Sequence, residues 1–103
     1  MDFPVPRTDM FTIYSKSGCA NCNKVKLLLK ENNIAFHVIH CDDYLVDHRE
    51  EFMKFMISLT GITKGNIVFP QVFHPEFIGG YNETVTYVDN RKVQLLLEFD
   101  APF

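Results

Sequence analysis

A helix-length segment lies between two short runs of β-forming residues, and this constrains the fold more than any other feature. Met10 to Tyr14 and Phe36 to His40 read as strands. Between them, Ala20 to about Asn32 favours helix, with Val25, Leu28, Leu29 and Asn32 at three- and four-residue steps. A helical crossover makes the strands it joins parallel. Downstream, Asp42-Asp43 precedes a long amphipathic pattern, Leu45 to Leu59, with Leu45, Phe52, Phe55, Met56 and Leu59 on one face and Thr60-Gly61 as its stop. Val68 to Phe73 reads as a third strand interrupted by Pro70, which places it at an edge or a special bend. A turn at His74 to Glu76 leads into a short fourth strand, Phe77-Ile78, antiparallel to the third. After Gly79-Gly80, Asn82 is the expected N-cap of a helix that Asp89-Asn90 breaks, and Arg91 to Phe99 forms a last one. The expected architecture is α/β: a four-stranded mixed sheet with helices on both faces, in the order β-α-β-α-β-β-α-α.

The chain has 103 residues, the size of a single domain over 1–103, with residues 1–9 as an extended lead-in. Such a chain buries roughly 60–70% of its unfolded surface, enough for one core without staples. A formal net charge of -3 leaves no basic surplus for a phosphate backbone, so nucleic acid is not an expected partner. Apolar runs such as Leu27 to Leu29 and Leu95 to Leu97 are too short for a membrane span, and the first residues lack a signal-peptide layout. The 3 cysteines do not make a secreted disulfide framework; a cytoplasmic, reducing location is expected.

Two of them form Cys19-x-x-Cys22, just after a strand and a glycine-containing loop, at the first turn of a helix. Unpaired N–H groups and the positive end of the helix dipole stabilise a thiolate there, with Lys16 and Lys24 adding charge. Cys19 is therefore the expected attacking thiolate and Cys22 the resolving thiol, one turn deeper. Two other readings stand beside this one. Cys-x-x-Cys is also half of a zinc site, whose second half would come from His37, His40, Cys41, His48 or His74, none at finger spacing; the pair can also be inert and buried. No metal is expected. Cys41, beside Asp42 and Asp43, reads as a partly buried structural thiol whose ionisation those charges disfavour. None of the four histidines has a recognisable catalytic partner.

Four segments together carry a family resemblance: Tyr14-Ser-Lys-Ser-Gly-Cys-Ala-Asn-Cys22, Leu59-Thr-Gly61, Phe69-Pro-Gln-Val-Phe73 and Ile78-Gly-Gly-Tyr-Asn82. In this order they resemble the glutaredoxins, of the thioredoxin-like fold. The resemblance implies a glutathione-dependent thiol–disulfide oxidoreductase that reduces protein disulfides and glutathione mixed disulfides, with glutathione as co-substrate. It implies that Pro70 is a cis-proline, that Val68, Phe69 and Pro70 hold glutathione by backbone contacts, that Gly80, Tyr81 and Asn82 take its γ-glutamyl end, and that Lys16 meets its glycyl carboxylate. The expected protein is a monomer acting on disulfide-bearing or glutathionylated proteins, with ribonucleotide reductase a common family client. Two departures stand out. Ala20-Asn21 replaces the frequent Pro-Tyr, and non-proline variants include members that bridge a [2Fe-2S] cluster with glutathione. Asn82 stands where many relatives have a carboxylate, so either Glu83 meets the γ-glutamyl ammonium or binding there is weaker. A longer segment, Thr63 to Asn66 with Lys64, is similar to extensions in some phage and large-virus members and is expected beside the site. A thioredoxin-type protein reduced by a flavoenzyme is the rival reading, against which stands the lack of any Trp.

Overall fold

A computed structural model describes residues 2–99, with side chains described through Gln94. The elements are β1 (Phe11–Ser15), α1 (Ala20–Glu31), β2 (Phe36–His40), α2 (Asp42–Asp47), α3 (Arg49–Thr60), β3 (Gln71–Phe73), β4 (Phe77–Gly79) and α4 (Tyr81–Phe99). The sheet order is β2-β1-β3-β4. β1 pairs parallel with β2, as the crossover requires, and antiparallel with β3, which pairs antiparallel with β4.

Strand alternation divides the core into two layers. Phe11, Ile13 and Val72 face Val25 and Leu29 of α1 and Val88 of α4. Tyr14, Ile39 and Phe73 lie on the other side with Phe52 and Met56 of α3. Burying a side chain such as Phe52 or Leu29 contributes about 1.5–3 kcal/mol, so both layers stabilise the sheet. Cys22 and Cys41 belong to the α3 layer, with Cys19 packed against it. No described helix is long and apolar enough to cross a membrane.

The structure departs from the sequence reading, or adds to it, in four places of the fold. First, the expected Leu45–Leu59 helix is two helices. His48, at φ -138° and ψ 39°, separates α2 from α3, whose first turn gains Glu50 and Glu51 at its positive end. Second, Asp89-Asn90 does not break α4, which runs through as one helix. Thr84 and Val88 are buried one turn apart while Asp89 and Asn90 are exposed, so packing outweighs the few tenths of a kcal/mol of propensity those two residues cost. Third, Val68 and Phe69 lie outside the sheet, and β3 starts only after Pro70. Fourth, the lead-in is tied to the core. Phe3 meets Tyr44, Phe52 and Phe55 at ring-centroid distances of 5.1, 5.1 and 5.3 Å, and the buried Tyr14 hydroxyl donates to the Pro4 carbonyl at 2.7 Å. Residues 1 and 100–103 of the expected domain lie outside the described residues.

Candidate active site

The loop from Lys16 to Gly18 connects β1 to α1, and Gly18 takes φ +67°, a conformation that favours glycine. The loop is held from below: Asp42, at the start of α2, accepts the Ser17 N–H at 2.9 Å, which keeps its carboxyl below the usual carboxylate range. Cys19 then stands as the N-cap of α1. Its sulfur accepts the Cys22 N–H at 3.2 Å, one of the orphan donors of the first turn. Cys19 and Cys22 are joined as a disulfide, with Cα atoms 5.3 Å apart. Cys19 is half-buried and Cys22 fully buried, so one sulfur is open to a partner and the other is screened.

The third strand's approach supplies the opposite wall. The Phe69–Pro70 peptide is cis. The Phe69 carbonyl oxygen lies 3.4 Å from Cys19 Sγ, a contact in which the reduced thiol can donate. Lys16 Nζ stands 5.8 Å from the centre of the Phe69 ring. Gly80 closes on the same place, since a Cβ there would sit 3.6 Å from the Pro70 carbonyl oxygen. Cys19, Lys16, Phe69, Pro70 and Gly80 are thus brought together from three parts of the chain.

The remaining candidates are placed differently. Val68 is strongly exposed beside this wall. Tyr81, at the first turn of α4, lies 5.6 Å under Lys24 Nζ, a cation–π contact linking α4 to α1. Asn82 is exposed and is not the N-cap; Gly80 is. Glu83 Oε1 accepts the Gly80 N–H at 2.8 Å, the N3-to-N-cap half of a capping box, and the Thr84 N–H donates to the Gly80 carbonyl at 3.1 Å, the first backbone bond of the helix. Lys64 and its neighbours Thr63 to Asn66 are exposed.

Cys41 is fully buried, not partly. Its thiol is pushed up to about 12, first by burial, with Asp42 a smaller cause, and its sulfur lies 3.4 Å from the Ile39 carbonyl. The neighbouring acids foreseen from the sequence are therefore secondary to desolvation. Burial likewise raises the Tyr14 hydroxyl. His74 stacks on Phe11 at 4.0 Å and meets the Tyr87 hydroxyl at 2.8 Å. Among the described residues, no group of three or more His, Cys, Asp or Glu is placed to hold a metal ion. Sequence reasoning missed Gln71, which is buried directly behind Pro70.

A four-stranded mixed sheet carrying a helix-capping Cys-x-x-Cys opposite a cis-proline defines a dithiol domain of the thioredoxin-like fold. Comparison with known proteins is more specific. The glutaredoxin family model matches residues 11–78. Glutaredoxin-C8 of rice is 32% identical over 92 residues, covering 86% of this chain and 63% of the rice protein. The chain thus spans less than two thirds of that relative. The crystal structure of glutaredoxin 1 from Francisella tularensis, complexed with cacodylate, superposes with a TM-score of 0.64 at 33% identity, covering 78% of this chain and 92% of that one. A buckwheat glutaredoxin–glutathione complex shares the fold at a TM-score of 0.63 and 23% identity, over 90% and 81% of the two chains. The chain belongs to the glutaredoxin family.

Proposed function

We propose that the chain is a thiol–disulfide oxidoreductase that draws its electrons from glutathione. One observation carries this reading: Cys19 is half-exposed, caps α1, receives the Cys22 N–H and faces the Phe69 carbonyl. A helix N-terminus and an N–H···S bond both favour the thiolate, the nucleophilic form.

In the first step the Cys19 thiolate attacks the glutathione sulfur of a mixed disulfide. The new S–S bond joins Cys19 to glutathione, the old one breaks, and the substrate leaves as a thiolate that takes up a proton. A second glutathione thiolate attacks that adduct, releasing glutathione disulfide and restoring Cys19. With a protein disulfide, Cys19 bonds to one substrate sulfur and Cys22 then attacks Cys19, leaving the Cys19–Cys22 disulfide and a reduced substrate. Two glutathiones return the pair to thiols, so two electrons pass per cycle.

In this reading Lys16 meets the glycyl carboxylate, Val68, Phe69 and Pro70 the cysteinyl backbone, and Gly80, Tyr81 and Asn82 the γ-glutamyl end. The fold shared with the buckwheat glutathione complex supports glutathione as the ligand. Client proteins in a reducing cytoplasm, ribonucleotide reductase among them, complete the reading.

The test is a coupled glutathione assay. Cys19→Ser abolishes turnover, whereas Cys22→Ser keeps deglutathionylation and loses protein-disulfide reduction; equal loss from both refutes the assigned roles. Reduction by a flavoenzyme with none by glutathione leaves the dithiol chemistry and overturns the reductant.

A further inference from the structure

Gln71 is only 2% exposed, yet it is a primary amide set in an apolar layer. In the register of the sheet it lies opposite Tyr14, and alternation puts it on the side of Tyr14 and Phe73, the layer that also holds Cys22, Cys41 and Phe69. Its Nε2 donates to the Val68 carbonyl at 2.6 Å. Its Oε1 is buried with no hydrogen-bond partner among the described residues. Leaving a buried acceptor unpaired is destabilising. A leucine or methionine would avoid that cost, so stability alone does not explain the amide.

The hydrogen bond has a consequence across one peptide plane. The Val68 carbonyl and the Phe69 N–H belong to the same peptide unit, and that unit is trans; the cis bond is the next one. In a planar trans peptide the C=O and N–H point in opposite directions. Gln71 draws the carbonyl inward, so the Phe69 N–H is turned outward. That N–H has no partner among the described residues. It lies on the same residue whose carbonyl faces Cys19 Sγ at 3.4 Å, beside the exposed Val68. An outward N–H and a carbonyl next to the reactive sulfur are what an extended cysteine-bearing backbone pairs with.

We propose that Gln71 is a positioning residue, whose side-chain amide locks the Val68–Phe69 peptide so that the Phe69 N–H is presented to the backbone of a thiol-bearing peptide. This rests on the glutathione reading for its ligand but not for its geometry. Without the Nε2 donor the exposed Val68 segment is free to rotate its carbonyl toward water, withdrawing the N–H.

Gln71→Met removes the donor and the orphaned acceptor together at similar volume. The expected result is an unchanged or raised melting temperature with about tenfold weaker binding of S-methylglutathione, the loss of roughly one hydrogen bond to ligand. In turnover the change falls on KM for the glutathionylated substrate, with kcat within about twofold because Cys19 is untouched. Binding at native strength in a folded Gln71→Met protein overturns the proposal. Native protein gives a check that needs no variant. The Phe69 amide proton should exchange rapidly with solvent and should shift on addition of S-methylglutathione. A slowly exchanging Phe69 amide refutes the geometry whatever the ligand, whereas rapid exchange with no binding of S-methylglutathione refutes the glutathione reading and leaves the peptide orientation standing.

Discussion

Raising the pH should destabilise this protein through Cys41, a residue with no part in the proposed chemistry. The thiol has its ordinary value of 9.0 when exposed and is pushed up to about 12 in the folded chain, chiefly by burial. The folded value is raised, so the stabilisation is fully present below pH 9.0 and is lost as pH rises toward 12. In that window the unfolded chain has released the proton and the native chain still holds it, so unfolding releases a proton and high pH favours it. At pH 10 the unfolded thiol is one unit past its midpoint; at 1.36 kcal/mol per unit, stability falls by about 1.4 kcal/mol relative to pH 7. The comparison is between the wild type and Cys41→Ala, each unfolded in urea at pH 7 and pH 10 with excess reductant. Cys19, Cys22 and Tyr14 are present in both chains, so their titrations cancel to first order in the double difference. The variant loses some packing at both pH values, but its pH 7-to-10 loss should be smaller by about 1.4 kcal/mol. Equal losses in the two chains would show that Cys41 ionises freely in the native state, and the reasoning from burial would fail.

Two further substitutions test the frame of the site. Phe3→Ala deletes the ring lodged among Tyr44, Phe52 and Phe55; for a half-buried ring the expected cost is about 2 kcal/mol, roughly half that of a fully buried Phe. Unaltered urea stability would mean that the lead-in does not hold in solution. Gly79→Ala combines φ +137° with a Cβ 2.7 Å from Glu83 Cβ, so it should lower stability by more than about 1 kcal/mol and displace the Gly80–Glu83 cap. Thermal melting checks the first effect and the Gly80 amide resonance the second; a variant with native values in both would contradict the close approach.

The parts of the fold legible in the sequence were those set by periodicity and crossover length. β1, α1 and β2 follow from short β-forming runs and three-to-four spacing, and the Cys19-x-x-Cys22 placement follows from them. What was hidden depends on contacts distant in sequence. No glycine or proline marks the break at His48, because the apolar stripe from Leu45 to Leu59 continues across it. Asp89-Asn90 looks like a stop, yet both face outward on a helix whose opposite side is buried. Asn82 has the right chemistry for an N-cap but stands two residues too late, since Gly80 takes that position with Glu83 reaching back. Gln71 carried no local signal at all. Its meaning comes from the Val68 carbonyl it holds, and composition gives no hint that a glutamine beside a proline is buried. Cys41 was foreseen as a bystander, though the dominant reason for its inertness is the layer above it.

The ends of the sheet bear on how the molecule behaves in a crowd of copies. One outer strand, β4, is three residues long and runs almost directly into α4; the other, β2, is five residues long with His37 and His40 exposed. A neighbouring chain seeking to extend the sheet finds few free backbone groups in a row on either side, and short edges of this kind discourage strand-to-strand association. A protein whose proposed work is to meet disulfide-bearing chains thereby offers them little sheet edge to pair with.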